Sequence, residues 1–324
     1  MTEGAAETLS EVQRVLARAK SLEIGAWVRA AGDAPGDYRS RFRGGGIEFS
    51  EVREYVAGDD PRRIDWNVSA RHGGLYIKEF VEERDLNVYV VVDRSGSIAF
   101  GSTRSKWEIV MDVGASLVLS ALHSNNRIGL GMFSESLERF VPARKGRGHA
   151  IRIIHEMVKG RPSTEKHGGE GKMHTGTNLA RSASQLAGRI RRKSIIFLIS
   201  DFIAEPFAES LWWLSTRSTV ILVNISDAHE LRMPDIGYAY LEDAETGSQV
   251  LVDTSRREFQ EAYAQTAREA AENTKRQALG ARSSHVEIAD GGQFAATFNR
   301  HARAARASMA RRRRGARMVS RGAV

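Results

Sequence analysis

The sequence predicts an α/β protein: a doubly wound, mostly parallel, Rossmann-like sheet preceded by a helical and charged N-terminal extension. Three observations carry that class. Val88–Val92 and Ile195–Ile199 are uninterrupted apolar or aromatic runs of strand length, as strands covered on both faces require. Between and beyond them lie stretches of helical period, so that strands and helices alternate along the chain. The 324 residues, 41% of them apolar and 27% charged, are enough for a large buried core in a folded chain.

Taken in order, Leu9–Ala31 reads as a helix. Ser10 and Gln13 have the spacing of a capping box, and Val12, Leu16, Ala19, Leu22 and Ala26 recur on one face. Gly32–Gly46, with Pro35 and three consecutive glycines, breaks regular structure. Glu48–Asp85 carries ten acids and six bases among aromatics, with one expected strand around Leu75–Phe80. Regular alternation begins at Asn87. The strand Val88–Val92 is followed by a helix over Lys106–Ser124, with Ile109, Val113, Leu117 and Ala121 aligned, and by a strand over Arg127–Phe133. His149–Lys159 and Leu179–Arg192 read as helices around the next loop. Ser194–Ile199 is a strand, Phe207–Ser215 a helix and Thr219–Ile225 a strand. Tyr238–Asp253 reads as a hairpin about Glu245-Thr246-Gly247, Arg256–Leu279 as a long helix, His285–Ile288 as a last strand, and Phe294 opens a final helix. Right-handed crossovers between these strands give the doubly wound sheet. The expected division is an extension over 1–86, an α/β domain over 87–299 with its hairpin insertion near 238–253, and a basic tail over 300–324.

Composition removes several functions. The chain has no cysteine, so disulfides, thiolate metal sites and cysteine nucleophiles are excluded. The apolar runs are far too short to span a bilayer, and Met1–Ala30 lacks the apolar block of a signal peptide, so a cytoplasmic location is expected. The net charge of +8 is localised: nine arginines lie between Arg300 and Val324 with no acid, which leaves the preceding residues at −1. Such a tail can attract phosphate or anionic lipid. No aromatic residue follows Phe298, so bases would find no stacking platform, and the tail reads first as a solvated end.

Ligands in open α/β sheets bind beyond the carboxyl ends of the strands. Asp93-Arg94-Ser95-Gly96-Ser97 follows the first apolar strand, and Ser200-Asp201-Phe202 follows the second. Thr175-Gly176-Thr177-Asn178-Leu179 enters the helix between them. These loops deliver short oxygen ligands to one end of one sheet. Magnesium takes six oxygens at close range and keeps several waters. Two carboxylates and three neutral hydroxyls would leave it electron-poor, ready to accept a carboxylate from outside.

At these residues the sequence resembles the von Willebrand factor A-like family and its metal-ion-dependent adhesion site. The resemblance implies Mg²⁺, or Mn²⁺ in its place, bound by Ser95, Ser97 and Thr177 through hydroxyls. Asp93 and Asp201 would contact it directly or through water, with Thr175 the alternative to Thr177 and Arg94 at a variable position. A second resemblance covers more of the chain. Phe42-Arg43-Gly44-Gly45-Gly46-Ile47-Glu48-Phe49, Val52-Arg53-Glu54-Tyr55, Gly58-Asp59-Asp60-Pro61-Arg62-Arg63-Ile64-Asp65-Trp66 and Tyr76-Ile77-Lys78-Glu79-Phe80 look like the signature of the bacterial domain of unknown function 58 family, found beside MoxR-type AAA+ ATPases. That resemblance implies an accessory protein that binds partners and has no known catalytic activity, so no catalytic residue is assigned; the expected partner is a MoxR-type ATPase or its client.

The charged block also has a reading of its own. Asp59, Asp60 and Asp65 could serve a metal-dependent phosphoester hydrolase. The stronger expectation is that Arg53, Arg62, Arg63 and Arg71 bridge the neighbouring carboxylates and hold the segment against the sheet, with Tyr55 and Trp66 as apolar anchors. Other motifs fail. Gly168-Gly169-Glu170-Gly171-Lys172-Met173 lacks the spacing and the hydroxyl of a phosphate loop, and neither His-Glu-x-x-His nor Gly-x-Ser-x-Gly occurs.

Overall fold

The computed structural model describes residues 3–25, 27, 47–56, 61–82, 86–162, 177–203, 206–242, 248–289 and 292–304. Helix α1 spans Glu3–Arg18 and buries Val12 and Val15. It stops well short of Ala31, and hydrogen bonds with a distant helix account for the difference. Lys20 N donates to Ser116 Oγ at 2.8 Å and Leu22 N to Ser120 Oγ at 2.9 Å. Partners from another element thus replace the intrahelical carbonyls for these amides, while Leu22, Ile24 and Trp27 remain buried.

The chain divides into two compact units, Met1–Asp33 with Leu86–Val324, and Ala34–Asp85. In the smaller unit, β1 (Ile47–Glu54) pairs antiparallel with β2 (Tyr76–Glu82), with an irregularity between Phe49 and Glu51. A 3₁₀ turn at Pro61–Arg63 leads to helix α2, Trp66–His72, which ends at Gly73 in the left-handed region, φ 71°.

The larger unit is built on β3 (Asn87–Asp93), β4 (Arg127–Phe133), β5 (Leu137–Arg144), β6 (Ser194–Ser200), β7 (Thr219–Ile225) and β10 (Ser284–Ile288). Their order across the sheet is β10-β7-β6-β3-β4-β5, parallel throughout except for β5, which runs antiparallel to β4. The doubly wound, mostly parallel α/β class is therefore observed. Alternate residues of β3 serve two cores. Val88, Val90 and Val92 join α1, α3 (Lys106–His123) and α4 (Arg147–Lys159), together with Phe298 of the helical residues 294–304. Tyr89 and Val91 join α5 (Leu179–Arg189) and α6 (Ala208–Arg217) on the other face. Burial on both faces is why these strands are apolar at every position. The edge strand β5 tolerates Pro142, where no central strand could.

A short helix α7 (Ala228–Leu231) follows β7, and β8 (Tyr238–Glu242) pairs with β9 (Gln249–Asp253) as the expected hairpin. Its turn at 245–247 lies outside the described residues. Tyr238, Tyr240, Val250 and Leu251 are exposed on it. Helix α8 spans Arg257–Gly280 and precedes β10. Among the described residues no helix is long and apolar enough to cross a membrane.

Candidate functional site

Strands β3 and β6 are adjacent and parallel, with Val92 opposite Ile199, so their chains leave the sheet at the same edge. From β3 the chain moves outward to β4, and from β6 it moves outward the other way to β7. The boundary between β3 and β6 is therefore the switch point of the sheet, the position beyond whose strand ends ligands bind in open α/β sheets.

Asp93 ends β3 with its side chain fully buried. Its Oδ1 accepts the amide of Ser95 at 2.8 Å, which curls the loop back on itself. The hydroxyls of Ser95 and Ser97 then lie 3.0 Å apart at the start of a 3₁₀ turn, Gly96–Ala99. The other oxygen, Oδ2, accepts the Ser200 hydroxyl at 2.6 Å and faces the Thr177 hydroxyl at 3.5 Å. Thr177 is placed by its neighbour: Asn178 N donates to Ser134 O at 3.2 Å, and the Asn178 side chain caps α5 by accepting from Arg181 N at 2.8 Å. Ser200 is fixed in turn because its Oγ accepts the amide of Phe202, which adopts φ 55°.

Asp201 follows β6. Its Oδ1 accepts from Ile203 N at 3.3 Å, and its Oδ2 accepts from the Lys106 ammonium at 2.7 Å. Lys106 opens α3 with its side chain wholly buried, and it also donates to Glu230 Oε1 at 2.5 Å. Glu230 Oε2 accepts from Asp227 N at 3.0 Å in a capping box at the start of α7. Asp227 Oδ2 accepts the amide and the hydroxyl of Ser102, each at 2.9 Å.

Electrostatics follow from this burial. Loss of solvent, and after it the charge of Asp201, push the Asp93 carboxyl up to about 7, against the hydrogen bonds from Ser200 and Ser95. Burial alone would pull the Lys106 ammonium down, but Asp201 and Glu230 together outweigh it and the net shift is upward. The rim is consequently a place where added positive charge is favourable.

The donor set suits a hard divalent cation. Every side chain is short and bears oxygen, and Asp93, Ser95, Ser97, Thr177 and Asp201 are all at most 8% exposed. Among the described residues no three acids or histidines gather as a metal cage, so the site is rich in hydroxyls and poor in carboxylates. Of the residues expected from the sequence, Asp93, Ser95, Ser97 and Thr177 are brought within hydrogen-bonding range of one another or nearly so. Asp201 lies near enough for its charge to act on Asp93. Thr175 and the glycine-rich segment 168–173 lie outside the described residues.

The sequence pattern of the family described as protein of unknown function DUF58 matches residues 51–273. The chain belongs to this family. An uncharacterized protein of Mycobacterium tuberculosis is 28% identical over 236 residues, which are 72% of each chain. An uncharacterized protein of Bacillus subtilis, YeaD, is 36% identical over 110 residues, 34% of this chain and 25% of that one. Among solved structures, an aerotolerance-related membrane protein from Bacteroides fragilis aligns with a TM-score of 0.42 at 14% identity, covering 67% of this chain and 98% of that one. A von Willebrand factor type A protein from Catenulispora acidiphila aligns at 0.41 and 14% identity, covering 70% and 43%.

Three members of the network in this DUF58 protein carry no motif of their own. Ser200 stands in the loop after the strand Ser194–Ile199 without a ligand role of its own, Lys106 only opens the expected helix Lys106–Ser124, and Glu230 belongs to no expected motif. One signal did exist for Lys106: a cation at a helix N-terminus opposes the dipole and asks for a counter-charge. In the charged block one expected part differs, the anchoring role of Trp66. Asp65 Oδ1 accepts from Asn67 N at 3.0 Å and Val68 N at 3.3 Å as the N-cap of α2. Trp66 is 68% exposed and so is not an apolar anchor, because the cap places it at the outset of a helix with its side chain outward. Tyr55 is half-buried; Asp59 and Asp60 lie outside the described residues, as do the side chains of Arg53 and Arg63.

Proposed function

We propose that this DUF58 protein recognises a partner protein through a divalent cation, Mg²⁺ or Mn²⁺, held at the switch point between β3 and β6. The observation that carries the reading is the buried Asp93 carboxylate, 3.5 Å from the Thr177 hydroxyl, followed by a loop that sets the Ser95 and Ser97 hydroxyls 3.0 Å apart, and lying beside the charge of Asp201. Bound there, the ion would supply Lewis acidity toward a carboxylate offered by the partner. The residues of the chain hold and orient. The Ser95 amide fixes one oxygen of Asp93, Ser200 fixes the other, and the neutral hydroxyls leave charge for an outside ligand to complete.

The surroundings support a protein partner. Phe100, three residues after Ser97, is 48% exposed, and Ile203, two residues after Asp201, is 54% exposed. Both loops that approach the rim thus present an apolar side chain, while Arg94 is tied back to Glu138 at 2.6 Å. Apolar contacts beside a charged anchor are what a specific interface needs. The partner proposed is a MoxR-type AAA+ ATPase or a client of it, from the family resemblance.

The test is calorimetric titration of Mg²⁺ or Mn²⁺ into the full chain and into Asp93→Ala. Heat is expected from the former and none from the latter, with both giving the same far-UV spectrum. Equal heats would remove the reading. Capture of the partner on the immobilised chain should vanish with EDTA and return with Mg²⁺.

A further inference from the structure

The reading of the rim as a cation site leaves Lys106 without a role, and this inference rests on that reading. We infer that Lys106 is the residue that sets the affinity of the rim, holding it low for a bare divalent ion and making firm retention conditional on a carboxylate from outside.

Geometry supports this in three ways. First, the ammonium is wholly buried and engages Asp201 Oδ2 at 2.7 Å, so one oxygen of the second carboxylate is already taken. Second, its direction is fixed. Lys106 N donates to Phe100 O at 2.7 Å, and Ser105 caps the helix behind it, so the side chain is aimed from a rigid base. Third, the burial serves no purpose in the helix itself. A cation in the first turn works against the dipole, and a buried ion pair is seldom more stable than an apolar one of the same size. What the ammonium does is change the charge of the rim. Asp93 and Asp201 alone would neutralise a divalent ion. Lys106 beside them offsets Asp201 locally, so the ion at the rim is left short of negative charge, while Glu230, the ammonium's other partner, keeps the whole group neutral once the ion is bound. Glu230, 2.5 Å from the ammonium, moderates this by competing with Asp201 for it.

Two substitutions should therefore act in opposite directions. Mn²⁺ binding to the full chain is read from the free-ion paramagnetic resonance signal, with and without acetate as the carboxylate probe, and folding is followed by thermal melting. The wild type is expected to bind Mn²⁺ weakly alone and several-fold more tightly with acetate. Lys106→Met should bind Mn²⁺ alone at least tenfold more tightly and lose most of the acetate effect. Glu230→Gln, which leaves the ammonium to Asp201, should bind severalfold more weakly. A folded Lys106→Met with unchanged or weaker affinity overturns the inference and leaves the cation site standing. Should Lys106→Met fail to fold, Glu230→Gln decides, and unchanged or tighter binding there overturns it. A wild-type chain that binds no Mn²⁺ even with acetate overturns both this inference and the reading beneath it.

Discussion

Two regions of this chain set carboxylates at the start of a turn, and they use them in opposite ways. In the smaller unit, Asp65 faces the free amides of a helix start and accepts from Asn67 and Val68. In the larger unit, Asp93 accepts a single amide, from Ser95, and otherwise meets hydroxyls and the field of Asp201. Backbone N–H groups at a helix N-terminus favour the charged carboxylate, and a second acid opposes it. The first arrangement is complete without any ion. The second is electrostatically incomplete at neutral pH, and that difference, more than the number of acids, separates a structural carboxylate from a candidate ligand.

The largest test of the contrast is Asp93→Asn. The substitution keeps size and removes the charge, so Mn²⁺ binding should be lost altogether. The cation-free protein should nevertheless become more stable above pH 7, by an amount on the order of a few kcal/mol, because an unpaired buried charge disappears. Melting curves at pH 8 with EDTA check the second half. A cation-free variant less stable than the wild type would place Asp93 with Asp65 among the structural carboxylates.

The pH dependence sharpens the same point and carries its own sign. Asp93 titrates near 7 in the folded chain and near 3.8 when unfolded, so between those values the folded state binds the extra proton. Stability from this group is therefore present below about pH 4 and is lost as pH rises toward 7, with a slope of up to about 1.4 kcal/mol per pH unit. This is the reverse of the usual aspartate. The difference in unfolding free energy between wild type and Asp93→Asn, measured in EDTA from pH 5 to 8, should widen with pH, and saturating Mn²⁺ should stabilise the wild type alone. A flat difference would mean that Asp93 carries no raised proton affinity.

How much of this was legible in the sequence depends on where the information resides. Asp93, Ser95, Ser97 and Asp201 could be read because each follows directly on an apolar run that marks the end of a buried strand. The strands themselves were plain for the same reason. β1 and β5 were not: β1 is broken by its irregularity near Phe49, and β5 is an edge with a proline and one exposed side, so neither shows a clean period. The end of α1 at Arg18 was hidden because Ser116 and Ser120, nearly a hundred residues away, take over the amides of Lys20 and Leu22. Lys106 was hidden likewise, since its partners come from the loop after β6 and from α7, and its place in a first helical turn asks for a counter-charge without saying which. Residues whose role is fixed by the neighbouring strand are readable; residues whose role is fixed across the sheet are not.

The smallest effect is expected at Asp65. Replacing it by Ala removes the side-chain acceptor for Asn67 N and Val68 N, and loss of such a cap costs about 1 kcal/mol. The helix it caps has seven residues, too short to persist on propensity alone, so the loss should appear as faster amide exchange across Trp66–His72. Mn²⁺ affinity should be the same as that of the wild type. A measurable change in Mn²⁺ binding would show that this carboxylate also belongs to a cation site, and the separation drawn between the two regions would then fail at its weaker end.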